Sequence, residues 1–243
     1  MLRGRRFRFS EDREVEQDGE PDDLTDLGSV VRLDGFKETY QQAAAKTVDA
    51  IAREVFEHCI WYFLRPGGAP EITVSDDEDS VSLKDLLHEF VYSEMPTTTI
   101  EVKGEKFDMV NLCLKSSTRN QTPRLHWCAA SRVVMEENLT GKVPGLYGRL
   151  KDENAAEFTY VCYLSSDFLD SRVRSDRTGF DITERVAGAS LIDDVSLDDI
   201  RAAALKKVET ILAAPLSAAR DEGKARINDF VSTRSPRYRP VLS

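Results

Sequence analysis

At 243 residues, with 41% hydrophobic positions, the chain is long enough to bury an ordinary core and too apolar for global disorder. Its 33 lysines and arginines stand against 43 aspartates and glutamates, a net charge of −10, so the molecule as a whole is no simple nucleic-acid binder, which needs clustered excess positive charge. The longest apolar run, around Cys59 to Leu64, falls far short of the roughly 20 residues that cross a bilayer, and no apolar segment of a signal peptide follows the arginine-rich start, so no membrane association and a cytoplasmic location are expected.

Residues 3–9 alternate Arg and Phe (Arg6-Phe7-Arg8-Phe9), which suits a strand with one buried face. Glu11 to Asp26 holds nine acids and one arginine and reads as a solvated loop. Ser29 to Leu33 resumes as a strand, closing a hairpin with a long acidic connection. From Thr39 to Leu64 the apolar positions Val48, Ile51, Ala52, Val55, Cys59, Tyr62 and Phe63 recur at helical spacing, until Pro66-Gly-Gly-Ala-Pro70 ends the helix. A short strand at 71–74 and a turn at 76–79 precede a helix to Phe90, with Ser82 as its N-cap and Asp85 at the capping-box position.

The clearest hairpin spans 98–114, with Lys103-Gly104-Glu105 at its turn. Leu125 to Ala129 is a further strand, and Val133-Val134 leads into a polar segment and the Gly/Pro-marked loop 141–148. Phe158 to Leu164 is strongly β-forming, and 167–172 suggests a short helical turn. After a linker at 186–194, Ser196 caps a helix whose first turn carries Asp198 and Asp199 and whose apolar stripe is Leu197, Ile200, Ala204, Val208, Ile211 and Leu212. Pro215 breaks that pattern, and a second helix runs from about Ser217 to Val231. The fold class expected is α+β, a mixed β-sheet with helices packed on one face, followed by C-terminal helices.

Cys59, Cys113, Cys128 and Cys162 are widely separated among apolar neighbours, and His58, His88 and His126 have no ligand spacing. Buried free thiols, and no metal site, are expected.

The stretch Asp170-Ser-Arg-Val-Arg-Ser-Asp-Arg-Thr-Gly-Phe-Asp181 resembles the phosphate-sensing loop in the second domain of GHKL ATPases, the group of gyrase, heat-shock chaperones, histidine kinases and MutL. Gly28 to Gly35 looks like the last strand of that group's ATP-binding domain, with Ser29 where a Gly-Thr pattern is common. Leu125 to Val134 is similar to the MutL-type strand ending in Asn-Gly-Arg-x-Val: Arg132 matches its arginine, while Ala130-Ser131 stands in place of Asn-Gly. The resemblance covers residues 3–185, and the order of these motifs carries it more than any one of them.

The resemblance implies three parts: terminal strands of an incomplete ATP-binding domain with an acidic loop (1–36), a transducer-like α+β domain (37–185), and a linker with a C-terminal helical segment (186–243). It makes Arg177 the candidate γ-phosphate sensor and Arg174 the alternate, with Arg172 beside them. A guanidinium is a permanent planar cation that pairs bidentately with phosphate oxygens and stabilises charge on a transferring phosphoryl group. A bland alternative is that Arg177, flanked by Asp176 and Asp181, forms a surface or interdomain salt bridge, and Arg132 reads more readily as a strand-end surface residue.

The Glu/Asn magnesium helix, the Asp-x-Gly-x-Gly adenine turn and the glycine-rich lid do not occur in the sequence, and Gly141-Lys-Val-Pro-Gly145 lacks the Gly-Lys-Ser/Thr ending of a phosphate loop. The isolated chain is therefore expected to bind no cofactor, with ATP and Mg2+ implied for the complete protein. Its expected partner is an N-terminal GHKL ATP-binding domain in cis or in trans, whose closure it would pass to the helices at 196–232, with 186–195 as hinge. A non-enzymatic interaction module docking through the stripe of residues 197–212 is the alternative. A weaker one is a nucleic-acid binder using Arg3 to Arg8 and the tail with Arg234, Arg237 and Arg239.

Overall fold

The structure, a computed structural model, describes residues 2–3, 7–10, 13–17, 23–24, 29–33, 35–115, 122–185 and 194–233. The chain forms two compact units, Met1–Ala45 and Lys46–Ser243.

In the first unit, β1 (Leu2–Arg3), β2 (Phe7–Ser10), β3 (Arg13–Gln17) and β4 (Asp23–Leu24) form two antiparallel pairs, β1 with β4 and β2 with β3. The register of the second pair faces Phe7 with Gln17 and Arg8 with Glu16. The expected partnership of the first strand with Ser29–Leu33 does not form. Part of the acidic stretch expected as loop pairs instead, because the shorter connection closes at lower entropic cost. Residues 29–33 take no strand, and Val30, Val31 and Leu33 are 97%, 80% and 69% exposed. Helix α1 (Glu38–Ala43) buries none of its residues.

The second unit begins with α2 (Val48–Leu64). The single helix expected from Thr39 is thus two, since Ala44 turns extended and the Thr47 hydroxyl accepts the Ala50 N–H at 3.2 Å as a new N-cap. After the turn through Gly67 and Gly68 come β5 (Thr73–Ser75) and β6 (Ser80–Ser82), joined where Asp76 Oδ1 accepts the N–H groups of Glu78 and Asp79. Helix α3 (Leu83–Phe90) starts directly from β6. Ser82 stands at its N-cap position but makes no side-chain cap bond.

The long hairpin of β7 (Val91–Val102) and β8 (Glu105–Lys115) turns at Lys103-Gly104 as expected. Then follow β9 (Arg124–Ala129), β10 (Arg132–Asn138), the short β11 (Leu150–Lys151) and β12 (Glu157–Ser165). The sheet runs β10-β9-β12-β8-β7, with β11 also on β12. It is mixed: β12 is antiparallel to β8 and parallel to β9, so the last strand enters between two earlier ones. That central place explains its run of seven buried residues, Phe158 to Leu164.

Period-two alternation divides the sheet's side chains between two layers. Leu112, Leu114, Cys128, Val161 and Tyr163 pack under α2 and α3 with Phe56, Ile60, Trp61 and Phe90. Phe107, Met109, Cys113, Leu125, Trp127, Tyr160 and Leu164 face the other way. That face is covered by α4 (Asp167–Asp170), the 139–150 loop and α5 (Leu197–Ile211). Two helices therefore take one face, and the C-terminal segment supplies a cover for the other.

The α5 stripe is core: Ile200, Ala204 and Leu212 are fully buried, Val208 nearly so, and Ile211 partly. Its start is a complete capping box, with the Ser196 hydroxyl accepting the Asp199 N–H and the Asp199 carboxylate accepting the Ser196 N–H. Helix α6 (Ala213–Thr233) follows almost at once. Pro215, expected to separate the helices, sits in its first turn, where a missing N–H loses no helical bond. Gly145 (φ 94°) lets the 139–150 loop lie against α6, since a Cβ there would stand 2.9 Å from Leu216 O. No helix among the described residues is long and apolar enough to cross a membrane.

Candidate functional site

The loop 172–181 follows β12 and α4 at the edge of the second face. It is a miniature hairpin: Asp181 N–H donates to Arg172 O at 2.8 Å, Arg174 N–H to Gly179 O at 3.0 Å, and Val173 bridges Phe180. Its tip is a turn closed by Arg177 N–H to Arg174 O at 2.9 Å, with Asp176 Oδ1 accepting the Thr178 N–H. That backbone hydrogen bond from Thr178 holds the Asp176 carboxyl below its usual range. Phe180 is buried against Trp127 and anchors the loop on the sheet.

The three arginines differ. Arg174 Nε pairs with Asp181 Oδ1 at 3.1 Å, so the salt bridge open to this loop is made by the alternate sensor residue. Arg172 lies over the Phe168 ring, 3.8 Å from its centre. Arg177 is exposed at φ 58°, left-handed backbone that an arginine rarely adopts, and among the described residues nothing pairs with its guanidinium.

The neighbouring β9–β10 turn also has unusual backbone. Ala130 and Ser131 are at φ 46° and 65°, the left-handed pair that Asn-Gly ordinarily fills in a two-residue hairpin. Each is tied from outside: Ala130 N–H donates to Asp170 Oδ1 at 2.9 Å, and Ser131 O accepts from Arg65 Nη1 at 3.2 Å. Arg132, next in line, is exposed, and its guanidinium has no partner among the described residues.

Beyond the loop, the chain fastens to the start of α5. Leu197 N–H and Asp198 N–H donate to the carbonyls of Thr183 and Glu184, both at 3.0 Å. The Arg201 guanidinium joins Glu184 (2.9 Å), Glu137 of β10 (2.8 Å) and Asp198, while Arg185 reaches Asp198 at 2.8 Å. Burial pushes the Glu137 carboxyl up, but hydrogen bonds from Lys142 and Arg201 outweigh it and hold the group below its usual range. An open cleft of about 730 Å3 lies here, lined by Val134, Met135, Glu136, Glu137, Lys142, Thr178 and Arg201.

The structure thus sets Arg132 and the arginine loop on adjoining turns. Sequence reading missed Arg65, Asp170, Glu137 and Arg201, whose contacts span 66, 40 and 64 residues and leave no local signal. The hinge at 186–195 lies mostly outside the described residues, as do Arg5, Arg6 and the tail with Arg234, Arg237 and Arg239. Arg3 and Arg8 lie in β1 and β2. Among the described residues no group of three or more His, Cys, Asp or Glu is placed to hold a metal ion. No protein-family model, curated protein or solved structure matches the chain.

Proposed function

We propose that the chain is the sensing and transducing part of a GHKL-type ATPase, reading nucleotide held by an N-terminal ATP-binding domain and passing its closure to the C-terminal helices. One observation carries this reading: Arg177 is held on a tightly hydrogen-bonded, exposed turn in left-handed backbone, with its guanidinium unpaired among the described residues. Strained backbone that its surroundings over-determine is commoner at functional sites. An exposed guanidinium on a fixed turn suits a γ-phosphate arriving from another domain. The same loop runs directly into the Arg201 clasp on α5, a mechanical path from phosphate to helix. ATP and Mg2+ belong to the complete protein in this reading, and its setting is cytoplasmic.

The test is ATP hydrolysis by a GHKL ATP-binding domain fused ahead of Met1 or supplied in trans. The wild-type chain should stimulate turnover, and Arg177→Ala should lose about tenfold or more of the stimulation with its melting temperature unchanged. Equal stimulation by the mutant removes Arg177 from the role. Absence of stimulation by the wild type removes the reading.

The interaction-module alternative gains from the exposed Val30, Val31, Leu33, Phe36 and Tyr40 in the first unit. It loses its original docking face, because the stripe of residues 197–212 is occupied by the sheet.

A further inference from the structure

Two turns, 40 residues apart in sequence, are joined by the Ala130–Asp170 hydrogen bond at one end of the sheet. This is the carboxyl end of the parallel strands β9 and β12, where Ala129 and Ser165 finish. One turn leads into Arg132, and the other into Arg172 and the loop whose tip is Arg177. Arg65, at the end of α2, reaches the first turn from behind through Ser131 O.

In a chain with ten more acids than bases, Arg132, Arg172 and Arg177 are all exposed, and no described carboxylate neutralises any of them. Arg174 in the same loop is neutralised by Asp181, so the lack of counter-charge is selective. The positions are also fixed. Ala130 and Ser131 are held in left-handed backbone by bonds from other segments, and the Arg172 guanidinium lies over the Phe168 ring. Exposed guanidinium groups carried on fixed neighbouring turns match a ligand with several anionic groups in a row, each taking a charge-assisted hydrogen bond.

We infer that this end of the sheet binds a linear polyphosphate chain, with Arg132 and Arg172 holding phosphates adjacent to the one that Arg177 meets. The identification of that chain as a nucleotide's triphosphate rests on the sensor reading; the anion site itself does not. Arg132 thereby acquires a role that its place at a strand end did not suggest.

The probe is inorganic tripolyphosphate, titrated calorimetrically into the isolated 243-residue chain at low and at physiological salt. The wild type should bind weakly, and less at higher salt. Arg132→Gln and Arg172→Gln should each weaken binding about tenfold with unchanged melting temperatures, as loss of a charged hydrogen bond does. Arg226→Gln, which removes the same charge from α6, should leave binding unaltered. No binding by the wild type, wild-type affinity in both loop variants, or an equal loss in Arg226→Gln each overturns the inference. So does tighter binding of a single-stranded oligonucleotide than of tripolyphosphate, since the site would then read a nucleic-acid backbone. A wild type that binds tripolyphosphate yet fails to stimulate hydrolysis keeps the anion site and sinks the sensor reading. Stimulation without tripolyphosphate binding does the reverse.

Discussion

Replacing Ile200 by alanine decides between α5 as core and α5 as docking helix. Ile200 has no exposed surface and lies in the cluster with Trp127, Phe107 and Leu164 beneath α5. The substitution removes three carbons, about 2.4 kcal/mol of transfer free energy at roughly 0.8 kcal/mol per buried methylene. Incomplete collapse of the hole adds a cavity cost of about 1 kcal/mol or more, giving a loss of about 3–4 kcal/mol. For a unit of this size that lowers the melting temperature by roughly 6–16 °C. Urea unfolding followed by tryptophan fluorescence reads the loss through Trp127, which is fully buried in the same cluster. Ile227→Ala on α6, where the side chain is 51% exposed, serves as the control and should shift stability by no more than about 0.5 kcal/mol. A loss at Ile200 no larger than at Ile227 would refute the burial argument and return the stripe to the list of partner surfaces.

Two further outcomes follow from the sheet's ionisable groups. His126 on β9 stacks on Tyr163 at 4.5 Å, and burial lowers its pKa to about 4 against the opposing pull of Glu136, 3.7 Å away. The unfolded chain therefore takes up this proton near pH 6.5 and the folded one only near 4, so stability should fall as pH drops through that window, by on the order of 3 kcal/mol. His126→Phe should flatten this part of the stability–pH profile, and an unchanged slope would assign it to other groups. Burial likewise pushes the Cys113 and Cys162 thiols up to about 12 and raises Cys128 further. Iodoacetamide at pH 8 should therefore modify only the half-buried Cys59 in the native protein and all four cysteines after denaturation, as intact mass will show. Rapid native modification of Cys128 would contradict the packing of that face.

What could be read from sequence was local. The Ser196 cap, the turn at Lys103-Gly104 and the β-run at 158–164 rest on a few adjacent residues whose preferences agree with the fold. The insertion of β12 between β8 and β9 could not be read, because it depends on pairing across tens of residues, where pattern specifies a face but no neighbour. Ser82 shows the limit of cap reading: the residue type is right, yet a preceding strand pair fixes the entry and its hydroxyl makes no cap bond. At the site, the resemblance offered Arg177 as the candidate and Arg174 as its alternate, with no local contact in the sequence to tell their surroundings apart. The folded loop separates them, committing Arg174 to Asp181 while Arg177 has no ion pair among the described residues.

The fastening of residues 183–184 to 197–198 has a practical meaning for engineering. Thr183 and Glu184 bond Leu197 and Asp198, and Arg185 pairs with Asp198, so the described residues on either side of this segment lie together. A segment whose two ends are pinned side by side can be exchanged for a longer one at small entropic cost, since each doubling of a loop adds only about 0.6 kcal/mol. A fluorescent protein or an affinity module spliced between Arg185 and Val195 would thus ride on the clasp while the sheet and α5 stay joined beneath it. Such a graft would turn the spot into a handle for watching α5 at work.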